Sequence, residues 1–257
     1  MLFSGKNIIV TGATGDLGTA ITQRLIAQGA NILAVDSNKP ELARLTTEVS
    51  GPGAVQTFVA DVSDSEQVLG YATRAVELWG KIDGLVNNAG IQTPVRPIVD
   101  FPEEDFNRVM AVNIRGVFLG MKYVLPRMRD GGSVVNMSSA LGVVGGAGIV
   151  AYVASKHAII GMSKTAALEQ GARGIRVNAC APGPIAGRMT SSWLTKCSPK
   201  PARRSPRPSR WVAMGRRRTW PASLRSCCPT TPAMPPERPT RSMADSQPPK
   251  GPAEHAR

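Results

Sequence analysis

Residues 7–18 read NIIVTGATGDLG, and the fold turns on how this stretch is parsed. NIIVT is short, apolar and β-branched, with no polar alternation, so it predicts a strand over 7–11 buried on both faces. TGATGDLG (11–18) follows, and a segment with helical period runs from 16 to 28. Glycines in such a turn let the chain double back tightly. They also let backbone N–H groups approach a pyrophosphate at the positive end of the helix. A glycine-rich turn is equally an ordinary way to join a strand to a helix, so the rest of the chain has to choose between the two readings.

The rhythm repeats. Apolar runs predict strands at 30–36 (ANILAVD), 54–60 (AVQTFVA), 83–87 (DGLVN), 132–137 (GSVVNM) and 175–180 (IRVNAC), with helices at 40–49, 64–79, 103–129 and 150–171 between them. Gly29, Gly80 and Gly171 stand where helices would stop. Six strands alternating with helices make an α/β chain with a doubly wound parallel sheet, whose ligand belongs beyond the carboxyl ends of the strands. Asp36 ends the second strand, 18 residues past Gly18. A carboxylate there accepts hydrogen bonds from ribose hydroxyls and repels a 2′-phosphate, so the turn reads as a dinucleotide loop and NAD is favoured over NADP.

Tyr152 and Lys156 lie four apart in YVASK (152–156), on one face of a predicted helix. Most such pairs are only helix surface. An ammonium beside a phenol, however, favours the phenolate and tunes it for acid/base work. Ser139, at the end of SVVNMSS, can present a hydroxyl to the same substrate oxygen. Ser138 is its rival, because neighbours on a strand face opposite ways. Asn113, taken alone, reads as a solvated or capping amide. Cys180 reads as a buried strand residue, His157 as helix surface, and no His/Cys/Asp cluster has metal-ligand spacing.

Taken together, TGATGDLG, Asp61-Val62, NNAG (87–90), Asn113, Ser139, Tyr152 with Lys156, and Pro182-Gly183 resemble the short-chain dehydrogenase/reductase family in order and spacing, over residues 1–190. The resemblance implies a Rossmann fold and an NAD(P)-dependent oxidoreductase exchanging a hydride with a secondary alcohol or ketone. It implies that Tyr152 is the acid/base, Lys156 lowers its pKa and holds the nicotinamide ribose, Ser139 orients the substrate oxygen, and Asn113 anchors a relay water. It places the cofactor on Gly12, Thr14, Gly15, Asp16, Leu17 and Gly18, on Asp36, with Asp61 and Val62 at the adenine, and on Asn88, Ala89, Gly90, Pro182, Gly183 and Ile185. It also implies a homo-oligomer, dimer or tetramer, when the C-terminus is intact. Two positions depart from the family: Asp16 stands where the middle glycine usually is, with Gly15 giving G-x-x-G-x-x-G, and Gly187 replaces a Thr that bonds the nicotinamide carboxamide, leaving Thr190 as a poor substitute.

Charge and composition set the tail apart. The whole chain of 257 residues has a net charge of +13, but residues 1–190 hold 17 Lys and Arg against 15 Asp and Glu, whereas 191–257 hold 14 against 3, with 13 of the 21 prolines. From about residue 196 neither strand nor helix period is visible. The family's last strand and substrate-covering helices are expected to be missing or replaced there. One reading is a basic tail for nucleic acid, but it holds no nucleic-acid module and nucleic acid is disfavoured as a partner. The other is a shifted reading frame. Taking each codon's third base with the next two, Cys227/Cys228 must give Leu, Met234/Pro235 Ala, Met243/Ala244 Gly and Trp211/Val212 Gly, and synonymous codons permit LLSDDAGYATGAAYTVDGG across Ser226 to Asp245, like the family's C-terminal segment. The expected division is therefore a 1–190 core and a 191–257 out-of-frame, disordered tail. The alternative function is a dinucleotide-binding protein with little or no turnover, or one whose basic tail contacts nucleic acid. Four cysteines in so long a chain argue against a disulfide framework. No run of about 18 uncharged residues offers a membrane span, and the N-terminus shows no signal peptide, so a cytoplasmic setting with no membrane partner is expected.

Overall fold

The computed structural model describes residues 1–92 and 94–187. Their six strands form one parallel sheet in the order β3-β2-β1-β4-β5-β6, with β1 at Asn7–Thr11, β2 at Asn31–Asp36, β3 at Ala54–Val59, β4 at Ile82–Asn87, β5 at Met128–Met137 and β6 at Arg176–Cys180. The strand order reverses between β1 and β4, so the connections leaving these two strands part to opposite sides and open a crevice at their carboxyl ends. Alternate residues of the central strands feed two cores. Ile9, Leu33 and Val35 pack on one face, and Ile8, Val10, Ile32 and Ala34 on the other. This two-sided burial explains why the central strands read as unbroken apolar runs. β3 departs from it: AVQTFV is largely exposed because it is an edge strand, paired with a neighbour along one edge. The same position at the opposite edge leaves Cys180 of β6 exposed, contrary to its expected burial.

Helices α1 (Asp16–Ala27), α2 (Lys39–Glu48), α3 (Ser65–Trp79) and α6 (Val150–Gln170) stand within a residue of their expected limits. α2 and α3 start on side-chain caps: Asn38 Oδ1 accepts from the Glu41 N–H, and Asp64 Oδ1 from the N–H groups of Glu66 and Gln67. Gly29 and Gly80 do take positive φ at helix ends, but Gly171 stays right-handed, the chain continues through a short 3₁₀ turn, and Gly174, at φ 65°, makes the stop.

The expected single helix over 103–129 is revised in two ways. It runs as α4 (Glu103–Val109), a π turn (Met110–Arg115) and α5 (Gly116–Val124), then ends in a 3₁₀ turn at Arg127. Met128 instead joins β5 opposite Ile82, where the Arg173 guanidinium donates to the carbonyls of Leu125 and Met128 and fastens the turn. The span Glu103–Arg127 has a mean hydropathy of 1.2 over 18 residues, so by length and composition it could cross a membrane; counting uncharged runs missed this. Half of that window is buried within the fold, where Val109, Val117, Leu119, Met121 and Val124 pack, and core packing accounts for its apolarity.

Candidate active site

The crevice at the strand ends is a cavity of about 780 Å³ lined by Gly12, Thr14, Gly15, Asp16, Leu17, Gly18, Asp36, Asp61, Val62, Asn88, Ala89, Gly90, Ser139, Tyr152, Lys156, Pro182, Gly183 and Ile185. Every sequence-predicted site residue lies in its wall except Asn113.

The first wall is the turn from β1 into α1. Gly12 has φ 61°, and a Cβ on it would come within 2.7 Å of the Ala89 Cα. A Cβ on Gly18 would strike the Gly12 carbonyl oxygen and lie 2.9 Å from the Ala13 Cα. Gly15, in contrast, has room, with the Gly12 oxygen 3.4 Å from its would-be Cβ. Two of the three glycines are thus needed to fold the loop, while the third keeps the surface of the turn flat. Asn88 and Ala89 brace it from β4: Asn88 Nδ2 donates to the carbonyls of Thr11 and Gly12 at 3.1 and 2.9 Å, and the N–H groups of Asn88 and Ala89 donate to Thr11 Oγ1. These residues build the loop in addition to lining the cavity.

Asp36, at the carboxyl end of β2, lines the cavity beside this loop. Its Oδ2 accepts from the N–H and hydroxyl of Thr14 at 3.1 and 2.7 Å, and its Oδ1 from the Asn38 N–H at 3.1 Å. Asp61 is folded into its own turn, Oδ1 accepting from the N–H and hydroxyl of Ser63. Val62 packs under α5 so closely that a Cβ on Gly116 would come within 2.8 Å of its Cγ2.

At the other end lies the polar cluster of β5 and α6. Ser138 and Ser139 separate as strand neighbours must. Both line the cavity, but the Ser138 hydroxyl is buried and donates to the Lys156 carbonyl at 2.7 Å, whereas Ser139 Oγ accepts from the Leu141 N–H at 3.2 Å. The Lys156 side chain is buried. Its Nζ donates to the Met137 carbonyl at 2.8 Å and lies 5.4 Å from the centre of the Tyr152 ring. The end of β5 therefore grips Lys156 twice, Met137 at the ammonium and Ser138 at the backbone.

The expected lowering of the Tyr152 pKa by Lys156 is not what this geometry gives. Burial pushes the Tyr152 phenol above its ordinary value, and the hydrogen bond from Ser139 opposes this only in part. Burial also brings Lys156 down to about 8. Desolvation governs both groups because each lies in the protein wall.

A stability test follows. A lysine with a folded-state pKa near 8 against 10.5 unfolded sheds its proton first in the native state. Stability therefore rises with pH between about 8 and 10, by on the order of 2 kcal/mol. Urea unfolding at successive pH values should show this rise in the native sequence and lose it in Lys156→Met. Parallel profiles for the two proteins would refute the assignment.

Asn113 sits in the π turn, wholly buried behind the cavity. Its Oδ1 accepts from the Ile91 N–H at 2.8 Å, and its Nδ2 donates to the Ile91 carbonyl and to Ser155 Oγ at 2.9 and 3.1 Å. Ser155 in turn donates to the Tyr152 carbonyl at 2.8 Å. Protein partners engage both ends of the amide, which braces the π turn to the helix bearing Tyr152. Ser155 lies inside YVASK and its proximity to Tyr152 and Lys156 was the available signal. The Met137 carbonyl gave none, being backbone. The two unusual positions meet: Gly187 lies against Asp16, whose Cγ would be 2.9 Å from a Cβ there, while the substitute Thr190 falls outside the described residues. His157 is on the helix surface, its Nδ1 2.9 Å from the Val153 carbonyl.

The short chain dehydrogenase family matches residues 6–198, ending where the strand and helix rhythm ends. Levodione reductase of Leifsonia aquatica is 39% identical over 208 residues, 79% of this chain and 78% of that one. A 3beta-hydroxysteroid dehydrogenase of Eggerthella lenta is 36% identical over 187 residues, 71% and 72% of the two chains. The crystal structure of levodione reductase superposes with a TM-score of 0.74 over 77% of this chain and 79% of its own. That of NAD+-bound xylitol dehydrogenase gives 0.72 at 37% identity over 76% of each. The chain belongs to the short-chain dehydrogenase family, the nicotinamide-dependent oxidoreductases of alcohol and ketone groups.

Proposed function

We propose that the chain uses NAD in preference to NADP to interconvert a secondary alcohol and its ketone, with Tyr152 as the acid/base. The observation that carries this is the gathering of Ser139, Tyr152 and Lys156 in the wall of the cavity floored by the glycine loop, with Lys156 Nζ 5.4 Å from the centre of the Tyr152 ring. The residues fit a dinucleotide: Gly12 and Gly18 fold a loop that no side chain could enter, and Asp36 stands at its adenosine end. When bound, the nicotinamide supplies or accepts the hydride. In the oxidising direction the alcohol hydroxyl gives its proton to the Tyr152 phenolate. In the reducing direction the phenol returns it to the oxygen of the new alcohol. Ser139 holds that oxygen by its hydroxyl, and Lys156 would hold the ribose. Asn113 acts behind them through Ser155.

Asp36 carries the cofactor choice, since a fixed carboxylate accepts ribose hydroxyls and opposes a 2′-phosphate. Calorimetric titration should show NAD binding at least about tenfold tighter than NADP, and near parity in Asp36→Ala. Equal affinities in the native sequence would reject the preference.

We read residues 1–190 as the catalytic core and the stretch from about 196 as out of frame; that stretch lies outside the described residues. The protein is proposed to be cytoplasmic. Met110, Ile114, Phe118 and Met162 form an apolar surface on which the proposed homo-oligomer would close, Phe118 being 49% exposed.

A further inference from the structure

We propose that Thr14 is the positioning residue that sets discrimination against NADP, by holding the Asp36 carboxylate against the glycine loop. The inference rests on the NAD reading above. Thr14 belongs to the turn after β1 and Asp36 to the end of β2, so the contact joins two adjacent strand ends across the adenosine side of the cavity. Two of the three donors on Asp36 come from Thr14: its N–H at 3.1 Å and its hydroxyl at 2.7 Å, both to Oδ2. The third, the Asn38 N–H, holds Oδ1 from the opposite side.

Turning the carboxylate away would break both Thr14 bonds within a nearly buried residue, 7% exposed, where exchange for water is restricted. The charge is therefore fixed where a 2′-phosphate would have to sit, and the repulsion cannot be relieved by rotation. Removing the hydroxyl removes the shorter of the two bonds and lets the carboxylate turn outward. That eases the entry of a phosphate while ribose hydroxyls keep an acceptor. Thr14 thus acts through Asp36, and its effect should appear in the ratio of two affinities, since a residue that merely supported the loop would weaken NAD and NADP alike.

The test is calorimetric titration of NAD and of NADP, without substrate, into the native sequence and into Thr14→Val, Thr14→Ala and Thr14→Ser. Val keeps the shape and the N–H bond but not the hydroxyl. Ala removes more bulk and carries the test if Val fails to fold. In Val and Ala the ratio of the NADP to the NAD dissociation constant should fall about tenfold, chiefly through tighter NADP, the scale of one charge-assisted hydrogen bond. Ser should hold the native ratio within twofold. A ratio unchanged in Val and Ala, an equal weakening of both cofactors, or failure of both variants to fold would overturn the proposal while leaving the NAD reading intact. Absence of any preference in the native sequence would overturn both.

Discussion

Replacing Tyr152 by Phe is expected to lower kcat by about 10²–10⁴-fold while the dissociation constant for NAD moves by less than about twofold. The ring is buried against Lys156 and keeps its packing in the variant; only the proton-bearing oxygen and its bond to Ser139 are lost. Lys156→Ala should differ by losing cofactor affinity as well, because the same ammonium is assigned to the ribose. Initial rates and calorimetry on the two variants separate these outcomes. A Phe variant retaining more than about a tenth of the native rate would remove Tyr152 from the mechanism.

Gly18→Ala should have the largest effect on the cradle. The added methyl would meet the Gly12 carbonyl oxygen and the Ala13 Cα, both backbone, so the turn itself must shift. Overpacking of this kind costs about 1–3 kcal/mol, or about 2–12 °C in Tm for a core of this size. The displaced loop should bind NAD at least about a hundredfold more weakly, since its N–H groups would no longer converge. Gly15→Ala, with ordinary contact distance available, serves as the mild comparison. Scanning calorimetry with NAD titration checks both; equal behaviour of the two variants would contradict the account of the loop.

Much of this was legible in the amino-acid sequence because the central strands are buried on both faces and so spell out apolar runs. Asp36 could be placed at the end of β2 by counting from the glycines, and YVASK by helical spacing. What was hidden depends on packing. Nothing in MAVNIR announces a π turn, yet that turn carries Asn113 into the core and engages its amide with Ile91 and Ser155. The choice between Ser138 and Ser139 needed the position of α6, whose Lys156 carbonyl takes the Ser138 hydroxyl. Edge positions are likewise a property of strand order, which is why β3 and Cys180 proved more exposed than their composition implied. The direction of the Tyr152 shift was misjudged for a related reason: spacing shows a neighbouring ammonium, but only the fold shows how far both groups are withdrawn from water.

On the proposed reading, one cavity both holds the dinucleotide and moves the proton through Tyr152. The most direct test is the appearance of reduced nicotinamide absorbance when NAD and a panel of secondary alcohols are mixed with the native sequence and with Tyr152→Phe. Reaction with at least one alcohol, abolished in the Phe variant although NAD still binds, is the predicted result. If NAD binds but no alcohol reacts, or if both proteins react equally, the chain is not the Tyr152-dependent oxidoreductase described above.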